Sequence, residues 1–444
     1  MLNAEENKLT RAQAALENID IPEIQLDQAI SAGITKGKRK QKKNLLIMRT
    51  LASAAILIFA FTAMLRTSET FASYVTSIPG MERIVELVRF DKGLTAAIQN
   101  DFAQKIGVSD EHDGLKITLD SAIVDEQMMV LFYKIDSSAG HKEIAIDKIQ
   151  LTDDKGKELE LSSSFFVGPI DLQKEGETVQ EMTYYFYGKV APENMKLSFQ
   201  LAEGRSENGE PLNKYADTWV IPFSIDKEAY KNKREIITVN ETVSFEGQKV
   251  TVEKVSIYPT RIGVTVHFDE KNTKRIFAIE DLRIVDESGE EWATIANGIS
   301  ASHISADKQE IYLQSNFFKN PKELYLKFSS IRALDKDELT VVVDPDQRKI
   351  IERPRDGRLL RVEREGEDLK FTYLGDRGAP FQHAVDSEGK QIGSGRLSVL
   401  TSEGVREQQI LIPYFGENPA PGLITLQITD YSTKVKGDAN IKVK

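Results

Sequence analysis

The sequence predicts a mainly β protein, with an N-terminal transmembrane helix, short juxtamembrane helices, and about three tandem β-sandwich (Ig-like) units. Three observations carry that expectation. An apolar run occupies residues 45–65 directly behind a dense block of bases. From about Leu115 the apolar residues recur with a period of two, as in half-buried strands. The same strand-and-turn punctuation then returns twice, which marks a repeated unit.

Residues 1–44 read as a cytoplasmic arm that ends in a basic juxtamembrane run. They are too few for a domain with its own core. Leu9, Ala12, Leu16 and Ile19 can line one helix face, and Leu26, Ile30 and Ile34 recur every four residues after Pro22. Pro22 separates the two patterns, because it disfavours helix at Ile21 and suits a first helical turn. A pair of short helices that folds onto a cytoplasmic partner would use Leu16, Leu26, Ile30 and Ile34 as its apolar contacts. A frayed tail or a pair of membrane-surface helices fits the same pattern. The run KGKRKQKK follows at residues 36–43, with Lys36, Lys38, Arg39, Lys40, Lys42 and Lys43.

Residues 45–65 read as the transmembrane helix. Thr50 to Leu65 carries no charge, and Leu45 to Met48 extends the run past Arg49. As an α-helix this stretch reaches about 31 Å, close to the hydrocarbon thickness of a bilayer. Arg49 lies one turn from the near end, where its guanidinium can snorkel to the headgroups. The excess of bases before the span orients the N-terminus to the cytoplasm and the C-terminal region to the outside. The expected location is therefore the cell membrane, crossed once. A buried core helix fits the length and flanking charges less well. A cleavable signal peptide would need a far longer n-region than usual.

Residues 66–107 read as an extracellular helical segment. Met81, Ile84, Val85 and Val88 share one face, Asp91-Lys92-Gly93 ends that pattern, and Leu94, Ile98, Phe102 and Ile106 form a second one closed by Gly107. Three β-sandwich units follow, at 108–230, 236–345 and 349–444. Each contains Asp-x-x-Gly, at 153–156, 286–289 and 386–389, behind an apolar strand. A Pro follows farther on in each, at Pro192, Pro321 and Pro419, with an aromatic strand before it and a closing strand after it. Many short strands with hairpin turns and no helices argue for sandwiches over one continuous barrel.

Composition excludes several functions. There is no Cys, which removes disulfides, thiolate metal sites and cysteine nucleophiles. The formal net charge is −11, although residues 36–49 alone carry seven bases, so the part beyond the span is strongly acidic. That balance argues against direct nucleic-acid binding. Beside a membrane span, the basic run is better read as contact with lipid headgroups. The Asp-x-x-Gly turns lack the alternating further ligands of a calcium loop, so hairpin turns explain them. The five His residues, at 112, 141, 267, 303 and 383, are scattered. No nucleophile elbow or phosphate-binding loop is present, and no cofactor or catalytic activity is expected.

The order of parts has a family likeness. The segment IPEIQLDQAISAGI leads into a basic stretch and one span, then IPGMERIVELVRFDKGLTAAIQNDF, then β repeats with FEGQKVTVEKVSIYPTRIGVTVHF. This resembles a family of Gram-positive single-pass membrane proteins that have an extracellular domain of unknown function and are often encoded beside extracytoplasmic-function sigma factors. The resemblance implies an anti-sigma factor or envelope sensor, whose residues 3–34 would hold the sigma factor. The zinc-binding His-x3-Cys-x2-Cys of other anti-sigma factors is absent. The alternative is a non-catalytic surface adhesion or wall-associated β-sandwich module, with a ligand the sequence does not name. A pure anchor needs only the basic run, not the patterned arm before it.

Overall fold

A computed structural model describes residues 82–444, apart from 166–167, 174–177, 207–210, 295–299, 376–378, 382, 395, 403–404 and 417–421. The arm residues Leu16, Leu26, Ile30 and Ile34, the basic residues Lys36, Lys38, Arg39, Lys40, Lys42, Lys43 and Arg49, and the 45–65 segment lie outside the described residues. Among the described residues no helix is long and apolar enough to cross a membrane.

Two short helices come first, α1 (Glu82–Val88) and α2 (Lys92–Gln99). Ile84, Val85 and Val88 of α1 are buried, as their spacing predicts, together with Leu94, Ala97 and Ile98 of α2. Asp91 does more than end the first pattern. Its carboxylate accepts from the Leu94 N–H at 3.0 Å and so caps α2, whose first residue is Lys92. The second pattern also ends earlier than its spacing implies. Phe102 is still buried, but Ile106 already lies in a strand, where the register slips between Lys105 and Val108. Gly107, at φ +68°, supplies the left-handed residue that such a bulge needs.

The first sandwich opens with β1 (Gln104–His112), β2 (Leu115–Val124), β3 (Met128–Ser137), β4 (Glu143–Asp153) and β5 (Ser162–Phe165). It continues through β6 (Ile170–Asp171), β7 (Val179–Tyr185), β8 (Asn194–Arg205), β9 (Pro211–Lys214) and β10 (Trp219–Ser224). One sheet runs β1-β2-β3-β7-β5 and the other β10-β8-β4-β6, with β9 also on β8. Every strand pair here is antiparallel. Trp219, Tyr133 and Phe199 are fully covered between the sheets. Burying side chains of this size stabilises by about 1.5–3 kcal/mol each.

The second sandwich repeats that plan. It uses β11 (Glu235–Phe245), β12 (Gln248–Ile257), β13 (Arg261–Phe268), β14 (Lys274–Glu280) and β15 (Arg283–Asp286). Then come β16 (Glu291–Ala293), β17 (Ala301–Ser305), β18 (Lys308–Gln314) and β19 (Leu324–Asp335). Its first sheet, β11-β12-β13-β18-β17, matches β1-β2-β3-β7-β5 in chain order and pairing. In the second sheet β19 takes the place of β8, and β14 with β15 takes that of β4.

The third sandwich holds β20 (Thr340–Asp344), β21 (Lys349–Glu352), β22 (Leu359–Glu365), β23 (Asp368–Leu374) and β24 (His383–Val385). β25 (Gln391–Ser394), β26 (Arg396–Ser402), β27 (Val405–Pro413) and β28 (Ile424–Gln427) complete it. Its sheets run β21-β20-β28-β24-β25 and β22-β23-β27-β26.

The unit boundaries are not the linear ones the repeats suggest. The last strand, β29 (Lys434–Lys442), leaves the third sandwich and pairs with β19, where Val435, Ala439, Ile441 and Val443 join the second core. Conversely β20, which precedes position 345, pairs with β21 and β28 in the third sandwich. The expected 236–345 and 349–444 units are thus corrected: the third sandwich is inserted between two strands of the second. In the first sandwich the chain after β8 folds straight back onto it, as β9 and then β10. After β19 the chain crosses to the neighbour first, and only the returning β29 fills the matching place.

The three Asp-x-x-Gly segments form one turn, made three times. In each, a carboxylate oxygen of the Asp accepts from the N–H groups two and four residues on: Asp153 from Lys155 (3.0 Å) and Lys157 (2.8 Å). Asp286 takes Ser288 and Glu290, and Asp386 takes Glu388 and Lys390, all at 2.9 Å. The glycines sit at φ +83°, +86° and +82°. Each carboxylate is committed to its own backbone.

Candidate functional site

Two places bring together residues that are distant in sequence. The first is the joint between the first and second sandwiches. Asp125, buried in the β2–β3 turn, accepts from the N–H groups of Gln127 (2.8 Å) and Met128 (3.2 Å) through Oδ1. Its Oδ2 accepts from the N–H (2.8 Å) and hydroxyl (2.6 Å) of Thr260, in the β12–β13 turn. Burial pushes the Asp125 carboxyl above its ordinary range, while these four donors pull it back.

Arg261, the next residue, is fully buried. Its guanidinium lies 3.7 Å from the Tyr312 ring centre and 5.2 Å from that of Tyr185, and Nη2 donates to Gln127 Oε1 at 3.2 Å. Nε and Nη1 have no hydrogen-bond partner. The turn between the two helices and the first residue of α2 reach the same joint. Gln314 donates to the Phe90 carbonyl at 2.9 Å, and Lys92 donates to the Glu291 carbonyl at 2.8 Å. Gly93 is part of the fit, because a Cβ there would stand 2.7 Å from the Ser315 nitrogen.

The second place is a polar cleft of about 580 Å³ between the second and third sandwiches. A β-bulge builds its floor. Ile276 and Ala278 pair with consecutive residues of β19, so Phe277 is the extra residue. Ile276 stays in the second core while the Phe277 ring turns into the third. On β19, Arg332 reaches Glu280 Oε1 at 2.8 Å and pairs with Asp430, just beyond β28. Lys434 stands 3.7 Å from the other Glu280 oxygen. Burial alone would lower the Arg332 pKa, and its two carboxylates more than offset that, leaving it above the ordinary value. Gln309 donates to the Phe277 carbonyl at 3.2 Å and meets His303 Nε2 at 3.1 Å.

This volume falls in the range of small-ligand sites, and clefts between domains are frequent binding places. Carboxylates of Glu280, Asp281 and Asp430 outnumber Arg332 among the charged groups of the wall. The cleft can therefore pair with donor-rich polar groups. Three of its residues are already tied in a salt-bridge chain, and a ligand would have to exchange those bonds for its own.

The histidines are held locally. His112 meets Asp110 at 3.2 Å, His141 contacts the Tyr215 hydroxyl at 3.1 Å, and His303 faces Gln309. His267 and His383 lie in β13 and β24. Among the described residues no three acidic or histidine side chains converge as a metal site. Sequence patterning did not single out Asp125, Arg261, Glu280, Arg332 or Asp430. Their partners lie up to 135 residues away. The one local signal is an Arg inside an otherwise apolar strand, as in RIGVTVHF and SSIRALD.

Residues 42–137 match a family described as a domain of unknown function (DUF4179), and residues 234–363 match a family of unknown function (DUF5643). The first match ends with β3, and the second runs from the start of β11 into β22. No curated protein matches the chain. A solved structure, "The crystal structure of the conserved domain protein from Bacillus anthracis", aligns at 14% identity, over 56% of this chain and 84% of that one, with a TM-score of 0.36.

Proposed function

We propose that the chain is a single-pass membrane regulator and not an enzyme, whose cytoplasmic residues 3–34 hold an extracytoplasmic-function sigma factor and whose β sandwiches sense the envelope from outside. The observation that carries this reading is the extent of the first family match. It runs without a break from Lys42, through the apolar segment, α1 and α2, to the last residue of β3. A detachable anchor would not need to share a unit with the strands it holds. The turn between the helices, at Phe90, and the first residue of α2, Lys92, bond to the second sandwich, so a change there has a route back toward the span. The cleft at Glu280 and Arg332 is the candidate place for a signal molecule.

Purification from membranes tests the reading. The full chain should bring down a sigma factor, and a chain lacking residues 3–34 should not, at equal membrane abundance. Recovery of no sigma factor with either chain would leave the surface adhesion or wall-associated module as the better reading.

A further inference from the structure

A small cavity of about 70 Å³ separates the helices from the first sandwich. Asp91 and Leu94 face it from the start of α2, Glu181, Thr183 and Tyr185 from β7, and Gln314 from β18. Two of these groups are carboxylates, and they are not equally satisfied. Asp91 Oδ1 is engaged as the cap of α2. Glu181 Oε2 is buried and has no hydrogen-bond partner. A single buried carboxylate oxygen without a donor is costly when charged and cheap when protonated.

We propose that α1 and α2 form a pH-sensitive latch, seated on the first sandwich while Asp91 and Glu181 carry protons and loosened when both ionise. The surrounding cations are engaged elsewhere. Arg83 and Arg89 pair with Glu86 on α1, and Lys92 lies 3.4 Å from Glu290. On β3, Lys134 pairs with Asp136 at 2.6 Å, and Arg261 on β13, though its Nε and Nη1 lack hydrogen-bond partners, stacks on Tyr312 and Tyr185 and is not among the charges acting on Glu181. Loss of water pushes Glu181 up to about 7, with the Asp91 charge adding to it, and pushes Asp91 up to about 6 against bonds from the Leu94 and Gly93 backbone. Both values stand above the ordinary 4.5 and 3.8, so the sign is clear. The stabilisation is fully present below the ordinary values and is lost as pH rises through about 6 and then about 7. Acid closes the latch and neutral-to-alkaline pH opens it, whatever the cytoplasmic arm binds.

Hydrogen exchange on the full chain in lipid nanodiscs tests this, with protection corrected for the pH dependence of intrinsic exchange. Between pH 6 and 8 the amides of α1 and α2 should lose protection about ten-fold, one pKa unit being ten-fold, while β12 and β13 change little. Glu181→Gln should hold α1 and α2 protected at pH 8 and remove most of the slope. Asp91→Asn still caps the helix and should reduce the slope without unseating α2. Protection in β12 and β13 reports that each variant is folded. A flat wild-type profile, or the wild-type slope retained in both variants, overturns the latch.

Discussion

Asp125 and Thr260 meet across the joint of the first two sandwiches through a single carboxylate oxygen, which accepts both the N–H and the hydroxyl of Thr260 at 2.8 and 2.6 Å. The other oxygen closes the β2–β3 turn from within. One side chain thus shapes its own hairpin and fixes that hairpin to the next sandwich.

Asp125→Ala is expected to leave three buried donors and one half-buried donor without an acceptor. Such donors cost about 1–3 kcal/mol apiece when stranded, and relaxation recovers part, so a loss of about 3 kcal/mol is expected. Thr260→Val keeps the N–H bond and should lose only about 1 kcal/mol. Urea unfolding of the Gly80–Lys444 part, followed by tryptophan fluorescence, measures both. Equal small losses would mean that the joint is held by other contacts.

Removing residues 434–444 should unfold the second sandwich. β29 covers one edge of β19 and brings Val435, Ala439, Ile441 and Val443 into the core beside Phe328 and Ile331. A fragment spanning 236–444 should fold by circular dichroism, and one spanning 236–345 should not, since it lacks β29 and ends in an unpaired β20. The first sandwich, which closes with its own β10, should keep its structure in the truncated chain. A folded 236–345 fragment would contradict the inserted topology.

Gly437 tests that strand at one atom. A Cβ there would lie 2.2 Å from the Phe245 ring, which stacks on Phe328 at 5.2 Å between centres. Gly437→Val should force the stack apart and cost about 1–3 kcal/mol, the usual range for overpacking. A melting temperature unchanged from wild type would show that the ring can swing away freely.

The period-two pattern is enough to place most strands, because each sheet has one face in a core and the alternation is printed in the residues, as in Leu324, Leu326 and Phe328. The three Asp turns are equally legible, since the Asp and the left-handed Gly act within five residues of chain. The crossing of β20 and β29 is not legible. Both strands alternate like any other, and nothing local says which β19 or β28 edge each will meet. The cleft is hidden for the same reason, because Glu280, Arg332 and Asp430 come together only after the insertion has been made. Phe277 adds a second obstacle: a bulge breaks the alternation at the residue that turns into the neighbouring core.

The proposed orientation in a membrane rests on the block of bases. An enzyme reporter active only outside the cell should be on when fused after Lys444 and off when fused after Gly37. Changing Lys36, Lys38, Arg39, Lys40, Lys42 and Lys43 to Gln should weaken or scramble that pattern, since short-loop bases set orientation. A reporter pattern reversed in the wild type would defeat the single-pass reading.

The arm carries the regulatory proposal, and its apolar faces should carry the binding. Truncating a buried Leu or Ile removes roughly 1.5–3 kcal/mol, so Leu16→Ala, Leu26→Ala, Ile30→Ala or Ile34→Ala should each weaken a sigma-factor complex about ten-fold or more. By the helical spacing of the sequence, Glu17 and Asp27 would fall off those faces, and rim charges mostly tune encounter rate and salt dependence. Their replacement should therefore change affinity far less. In cells, Leu26→Ala combined with Ile30→Ala should release the sigma regulon at unchanged protein abundance in the membrane. Transcript levels read the outcome. A regulon that stays silent while the variant is present and correctly oriented would move the assignment to a surface module with an anchor.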